Sequence, residues 1–222
     1  MGFIDRLRRR PVDADIPPVL AGLIPRPRGD RERDRADVPP DGSDLGWYTP
    51  RHGRSDALTG PDGAAALHLV PDRDTGGEPA LHLCEDTTGH LVGPLDSRLP
   101  LAGIYVSPLR GAAFHQLGCT AGDFHPGARV RLVREPDNEF DPCAVAVYDA
   151  TGQHLAAYVS NQKARLLSRL IDAGEPIEAV SIRGTGPAVP CDQVVVLAAS
   201  PEVLRRLLEP RPSYLPAPVH ES

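Results

Sequence analysis

Apolar and polar positions alternate at strand spacing over much of the second half of the chain. In Ala128–Val133, Val130 and Leu132 fall on one face, and Arg129, Arg131 and Val133 on the other. That period of two predicts a half-buried strand. Cys143–Tyr148 is apolar throughout, as expected of a strand covered on both faces. Between them lies Arg134-Glu135-Pro136-Asp137-Asn138-Glu139-Phe140-Asp141-Pro142, a loop with two prolines, four acidic residues and one large aromatic. Leu101–Val106, Gln153–Val159, Ile177–Ile182 and Gln193–Ala198 read as further strands, and Pro108–Ala128 as a loop rich in Gly and His.

Helical spacing interrupts this series twice. Leu166, Leu167, Leu170 and Ile171 form a one-sided stripe with Ser160 or Asn161 as N-cap and Gly174 as terminator. Ser200-Pro201-Glu202 opens a last helix carrying Val203, Leu204, Leu207 and Leu208. Short strands without a long βαβ series predict a mainly β (α+β) fold. The expected form is a small OB/SH3-like β-barrel of about six strands with two packed helices.

Upstream the pattern weakens. Prolines and glycines, 25 and 21 of 222 residues, are concentrated in the first half, so residues 1–55 are expected to be a disordered or linker arm. Its first ten residues are expected to be a frayed terminus; the alternative is a short basic amphipathic turn, with Phe3, Ile4 and Leu7 on one face, suited to a protein partner or a membrane surface. In residues 56–97, Ala64–Val70 is strand-like, and Ala80–Cys84 and His90–Val92 flank the turn Thr87-Thr88-Gly89. A β-hairpin appendage is expected there. The globular domain is then 98–209, and 210–222 a disordered tail.

A net charge of −6 argues against broad wrapping of nucleic acid but leaves room for a local contact. Arg nearly replaces Lys, Lys163 being the one lysine. Cys84, Cys119, Cys143 and Cys191 form no C-x-x-C pair, and no apolar run is long enough to span a bilayer, so a cytoplasmic protein with free thiols and no membrane contact is expected. The alternation Asp137, Glu139, Asp141 departs from a calcium loop at Pro142 and Tyr148. Neither His115, Cys119 and His125 nor His82, Cys84 and His90 has zinc spacing. No metal or other cofactor is expected.

The acidic loop itself admits two readings. Asn138 and Asp141 are residues with which a tight loop bonds its own amides, and Phe140 then turns inward. Alternatively, these side chains face a ligand.

The segment Val130-Arg131-Leu132-Val133-Arg134-Glu135-Pro136-Asp137-Asn138-Glu139-Phe140-Asp141-Pro142-Cys143-Ala144-Val145-Ala146-Val147 resembles the HIRAN domain family. Gly103-Ile104 before it, and Ala157-Tyr158-Val159 with a Leu-rich helix after it, extend the likeness over about half the chain. Family members occur alone in bacteria and fused to fork-remodelling helicases. The resemblance implies a non-enzymatic module that binds single-stranded or 3′-ended DNA, within repair or replication. It brings no ATPase, since Lys163 has no Gly-rich loop before it.

By the same resemblance Asp141 takes the free 3′-hydroxyl, Phe140 stacks on the terminal base, and Asn138 contacts the backbone or holds the loop. Arg134, Tyr105, Tyr158 and Lys163 complete the expected DNA-binding set. Tyr105 and Val106 stand where DNA-binding members carry a basic residue and an aromatic. Ala157 replaces a Gly, and Asn161 stands near the usual phosphate-binding Lys. The alternative is a protein-interaction domain that kept the fold without DNA.

Overall fold

The computed structural model describes residues 58–60, 63–71, 79–191 and 193–219. The arm expected at 1–55, with its partner-docking turn, lies outside the described residues. The strands are β1 (Leu67–Pro71), β2 (Leu81–Glu85), β3 (Leu91–Val92), β4 (Ile104–Arg110), β5 (Arg129–Arg134), β6 (Val145–Asp149), β7 (Leu155–Val159), β8 (Glu178–Arg183) and β9 (Val195–Ala199). The helices are α1 (Gln116–Ala121), α2 (Asn161–Asp172) and α3 (Pro201–Leu208). Strands β4 to β9 close an antiparallel barrel in the order β4-β7-β6-β5-β8-β9, as expected, and β1-β2-β3 form a separate sheet.

Strand β9 explains why the two sheets stay together. Val196 and Ala198 point into the barrel, among Val130, Val145, Val147, Leu167 and Ala179. Val195, Leu197 and Ala199 point outward, into a second cluster with Leu67, Leu69, Leu83 and Val92 of the three-stranded sheet and Leu204 and Leu207 of α3. Strands β4 and β8 repeat this, with Ile104, Val106, Val180 and Ile182 on the outer side. A bridge between Ala80 and Arg183 adds a backbone tether. The hairpin expected as an appendage is therefore a third layer sharing one core with the barrel. The sequence showed its strands but not which apolar face they cover.

Helix α3 begins with the Ser200 hydroxyl accepting from the Val203 N–H at 3.4 Å, with Pro201 in the first turn. Helix α2 buries Ala164 and Leu167. It ends in a Schellman turn, with Gly174 N–H on Ile171 O and Glu175 N–H on Leu170 O, and Gly174 at φ 76°. Ser160 holds the N-cap position, but its hydroxyl makes no cap bond. It lies 3.1 Å from the Ser107 hydroxyl, tying the start of α2 to β4.

Three other expectations are corrected. The strand expected over Leu101–Val106 is a 3-10 helix, Leu99–Ala102, followed by β4, because Gly103 at φ 71° turns the chain between them. The loop expected at Pro108–Ala128 carries the end of β4 and a third helix, α1. β4 is paired with β9 over Ile104–Pro108 and reaches β7 at Leu109, so Pro108 sits where one edge is still unpaired. The tail from 210 is fixed rather than loose through Val219. The Arg211 guanidinium donates to the carbonyls of Glu85 and Asp86 at 3.3 Å each, and Val219 bridges to His90.

Among the described residues no helix is long and apolar enough to cross a membrane. If the three layers share one core, Leu207→Ala, at a fully buried site, costs about 2–5 kcal/mol. Urea unfolding followed by NMR should then show sheet and barrel signals lost in one transition. Separate melting of β1–β3 with an unperturbed barrel would contradict the shared core.

Candidate nucleic-acid interface

The loop joining β5 to β6 is stitched from within. Asn138 Oδ1 accepts from the backbone N–H of Phe140 at 3.0 Å and of Asp141 at 3.3 Å, while its amide donates to Glu135 Oε2 at 3.0 Å. Asp141 Oδ1 accepts from Cys143 N–H at 2.8 Å, and its carbonyl from Ala144 N–H at 2.9 Å. These bonds explain why β6 starts at Val145 rather than at Cys143. Asn138 is therefore the side chain that holds the loop, the first of the two readings. Asp141 is shared between them: among the described residues its Oδ2 carries no hydrogen bond.

Phe140 does not turn inward. It is 93% exposed at the loop tip, its backbone fixed by Asn138. Arg134, at the end of β5, is committed to structure: it donates to the Ala144 carbonyl at 3.3 Å and pairs with Asp172 of α2 at 3.2 Å. Tyr158 donates its hydroxyl to Glu135 Oε2 at 3.1 Å. Burial, reinforced by the Glu135 charge, pushes the Tyr158 phenol above its ordinary pKa, so it remains a donor.

Register places these groups on one wall. Val133 opposes Ala146, Ala146 opposes Tyr158, and Tyr158 opposes Arg110, so one row of outward side chains crosses β5, β6, β7 and β4. The next row holds Arg131 opposite Tyr148. This wall is free of the apolar sheet that covers β4, β8 and β9 on the other side. It carries basic and aromatic groups together, the composition that lets a surface meet both phosphates and bases.

Arg134, Asn138, Phe140, Asp141 and Tyr158 are thus brought to one end of the barrel. Tyr105 is not among them. It lies five residues before Arg110 on β4, about 17 Å at strand rise, and packs partly buried against the barrel core, as Leu170 and Ile171 do. Lys163 sits in the first turn of α2, half-buried, and burial lowers its pKa. No acidic side chain among the described residues pairs with it.

Three contributors went unnoticed in the sequence. Glu135 joins loop to wall, accepting from both Asn138 and Tyr158. The His115 ring lies 5.7 Å from that of Tyr158, tilted 58°. Arg110 shares the Tyr158 row. Alternation running on through Leu109-Arg110 was the available signal for the last of these. Among the described residues no group of three or more His, Cys, Asp or Glu side chains is placed to hold a metal ion. Cys119 is buried, donates to the Ala156 carbonyl at 3.0 Å, and has its pKa pushed up to about 11 by burial and by Cys191.

A closed antiparallel barrel with an Asn-stitched acidic loop between β5 and β6 defines a small β-barrel domain. Residues 103–198 match the family model described as HIRAN domain, and this part of the chain is a HIRAN domain. The structure is similar to the crystallised HIRAN domain of human HLTF, at 20% identity and TM-score 0.35, over 47% of this chain and 83% of that one. A protein from Lactobacillus plantarum is similar at 17% identity and TM-score 0.33, over 42% and 91%. The NMR structure of the HLTF HIRAN domain gives 19% identity and TM-score 0.29, over 47% and 86%. No curated protein matches the chain.

The two roles in the loop separate by mutation. Asn138→Ala leaves two backbone N–H groups without their acceptor and should cost about 1–3 kcal/mol. Phe140→Ala, at an exposed tip, should stay within about 0.5 kcal/mol of the parent. Thermal denaturation compares them; a large loss for Phe140→Ala would mean that the ring packs against the protein.

Proposed function

We propose that this HIRAN domain is a non-enzymatic module that binds the 3′ end of single-stranded DNA at the β5–β6 loop. The HIRAN assignment carries the general expectation of DNA binding. The observation that carries the finer reading is the loop's division of labour. Its own amides are satisfied by Asn138 and by Asp141 Oδ1, while the Phe140 ring and Asp141 Oδ2 stay free to meet a ligand.

A free 3′-hydroxyl is a donor that exists only at a strand end, and a carboxylate is a strong acceptor for it. The same carboxylate, beside Asp137 and Glu139, repels an internal phosphate, so discrimination comes from attraction and repulsion together. Phe140 offers its face to the terminal base, an interaction worth about 1–3 kcal/mol. Tyr158 and the arginines of the exposed wall meet the strand as it leaves the loop. Lys163, without an acidic partner, serves a phosphate. Arg134 supports the loop and acts on DNA only through it, and Tyr105 belongs to the core.

Fluorescence anisotropy with short oligonucleotides ending in 3′-hydroxyl or 3′-phosphate tests this reading. The hydroxyl end should bind at least about tenfold tighter, as suits a hydrogen bond to a charged group. Asp141→Asn, which keeps the acceptor for Cys143 N–H, should erase most of that preference, and Phe140→Ala should weaken both ends alike. Equal affinity for the two ends removes end recognition. Absence of binding at low salt removes DNA and leaves a protein-interaction domain.

A further inference from the structure

The segment after α3 lies as a strap over the three-stranded sheet and belongs to no core. No residue from Pro210 to Val219 is buried, yet two anchors hold the segment down. At one end the Arg211 side chain, 9% exposed, donates to the carbonyls of Glu85 and Asp86 at 3.3 Å each. At the other, Val219 N–H donates to Gly89 O at 2.8 Å, and Val219 bridges His90 in parallel, beside the short strand β3. Between the anchors the chain bows outward, with Tyr214 85% exposed and Arg211 Nη1 bonded back to Pro216 O.

The sheet supplies a seat for each anchor. The Asp86 carboxylate, held by His68 Nδ1 at 2.6 Å, lies 3.7 Å from Arg211 Nε. With the two carbonyls it makes an acceptor set that suits one guanidinium. Gly89, at φ 77°, stands just before β3, and a Cβ there would collide with the Ala217 carbonyl. Bare backbone at this place lets a second backbone approach, and the edge of β3 takes a further extended chain. Both seats recognise an extended peptide with an arginine, and neither depends on a covalent link to α3.

The strap fills these seats imperfectly. Its buried guanidinium has an Nε that makes no hydrogen bond, and its carbonyl contacts are longer than usual. A buried charged donor left unsatisfied works against the closed state. Prolines at 210, 212, 216 and 218 favour an extended chain even when free, so a peptide of this composition docks with little loss of conformational freedom.

We infer that the Glu85–Gly89 turn and the β3 edge form a docking site for an extended, proline-rich peptide of a partner protein, anchored by one arginine. The chain's own strap occupies the site in the partner's absence. The partner replaces it, with its arginine on Glu85 and Asp86 and its following residues along β3. A net charge of −6 favours such a basic partner. The site lies on the three-stranded sheet and not on the Tyr158 wall, so it is independent of the DNA reading.

A fluorescein-labelled synthetic peptide of residues 209–219 serves as the probe, read by anisotropy on the full chain and two full-length variants. Arg211→Ala empties the arginine seat, and Val219→Pro removes the donor to Gly89. Both residues lie outside the core, so the parent's melting temperature should be kept. Each variant should bind the peptide at least about tenfold tighter than the parent, because the fraction of open site rises. A peptide with alanine in place of its arginine should bind none of the three. By NMR, the Gly89 and His90 amides should shift in Arg211→Ala and return on adding the peptide. Equal affinity of parent and variants, no binding to Arg211→Ala at millimolar peptide, or indifference to the peptide's arginine overturns the proposal. So does a parent that is dimeric by light scattering and monomeric as Arg211→Ala, which assigns the seats to the strap of a second copy.

Discussion

Double-sided burial of β9 is the constraint on which the rest of the structure depends. A strand with Val196 and Ala198 inward and Val195, Leu197 and Ala199 outward must be covered twice. The barrel supplies the inner cover, and the three-stranded sheet with α3 supplies the outer one. With β4 and β8 covered in the same way, that side of the barrel is enclosed. The opposite wall of β5, β6 and β7 keeps Arg131, Val133, Tyr148 and Tyr158 at least partly exposed. The enclosed core thus decides which wall can meet a ligand.

The loop at the end of that wall shows how an acidic segment can be both rigid and open. Of its four carboxylates, Glu135 is turned back toward Tyr158 and Asn138, and one oxygen of Asp141 is bound to a backbone N–H. Such local bonds substitute for regular structure and hold an apolar ring away from the core. A phenylalanine 93% exposed on a loose loop would say little. On a loop fixed by the hydrogen bonds of Asn138 and Asp141 to its own backbone, its orientation is imposed by the chain.

Much of this was legible in the sequence. The period-two runs around Val130 and Val145 located two central strands, the Leu-rich stripe after Ser160 located α2, and the loop motif carried the family. Two things were hidden. The apolar faces of β1 to β3 announced strands but not their partner, since a hydrophobic face is non-directional and any apolar surface will serve. The division of Asn138 and Asp141 between holding the loop and facing outward was also undecidable, because the same side-chain atoms serve both roles and only their hydrogen-bond partners distinguish them. Tyr105 was misplaced for a related reason. In a closed barrel an aromatic one position along a strand changes face, and here that turns it toward the core.

Mapping amide shifts by heteronuclear NMR while adding a 3′-hydroxyl oligothymidylate locates the surface that meets a strand end. Shifts are expected to concentrate at Asn138–Asp141, Tyr158 and Lys163, with β1 to β3 silent. Shifts confined to the three-stranded sheet, or none at all at millimolar ligand, would contradict it.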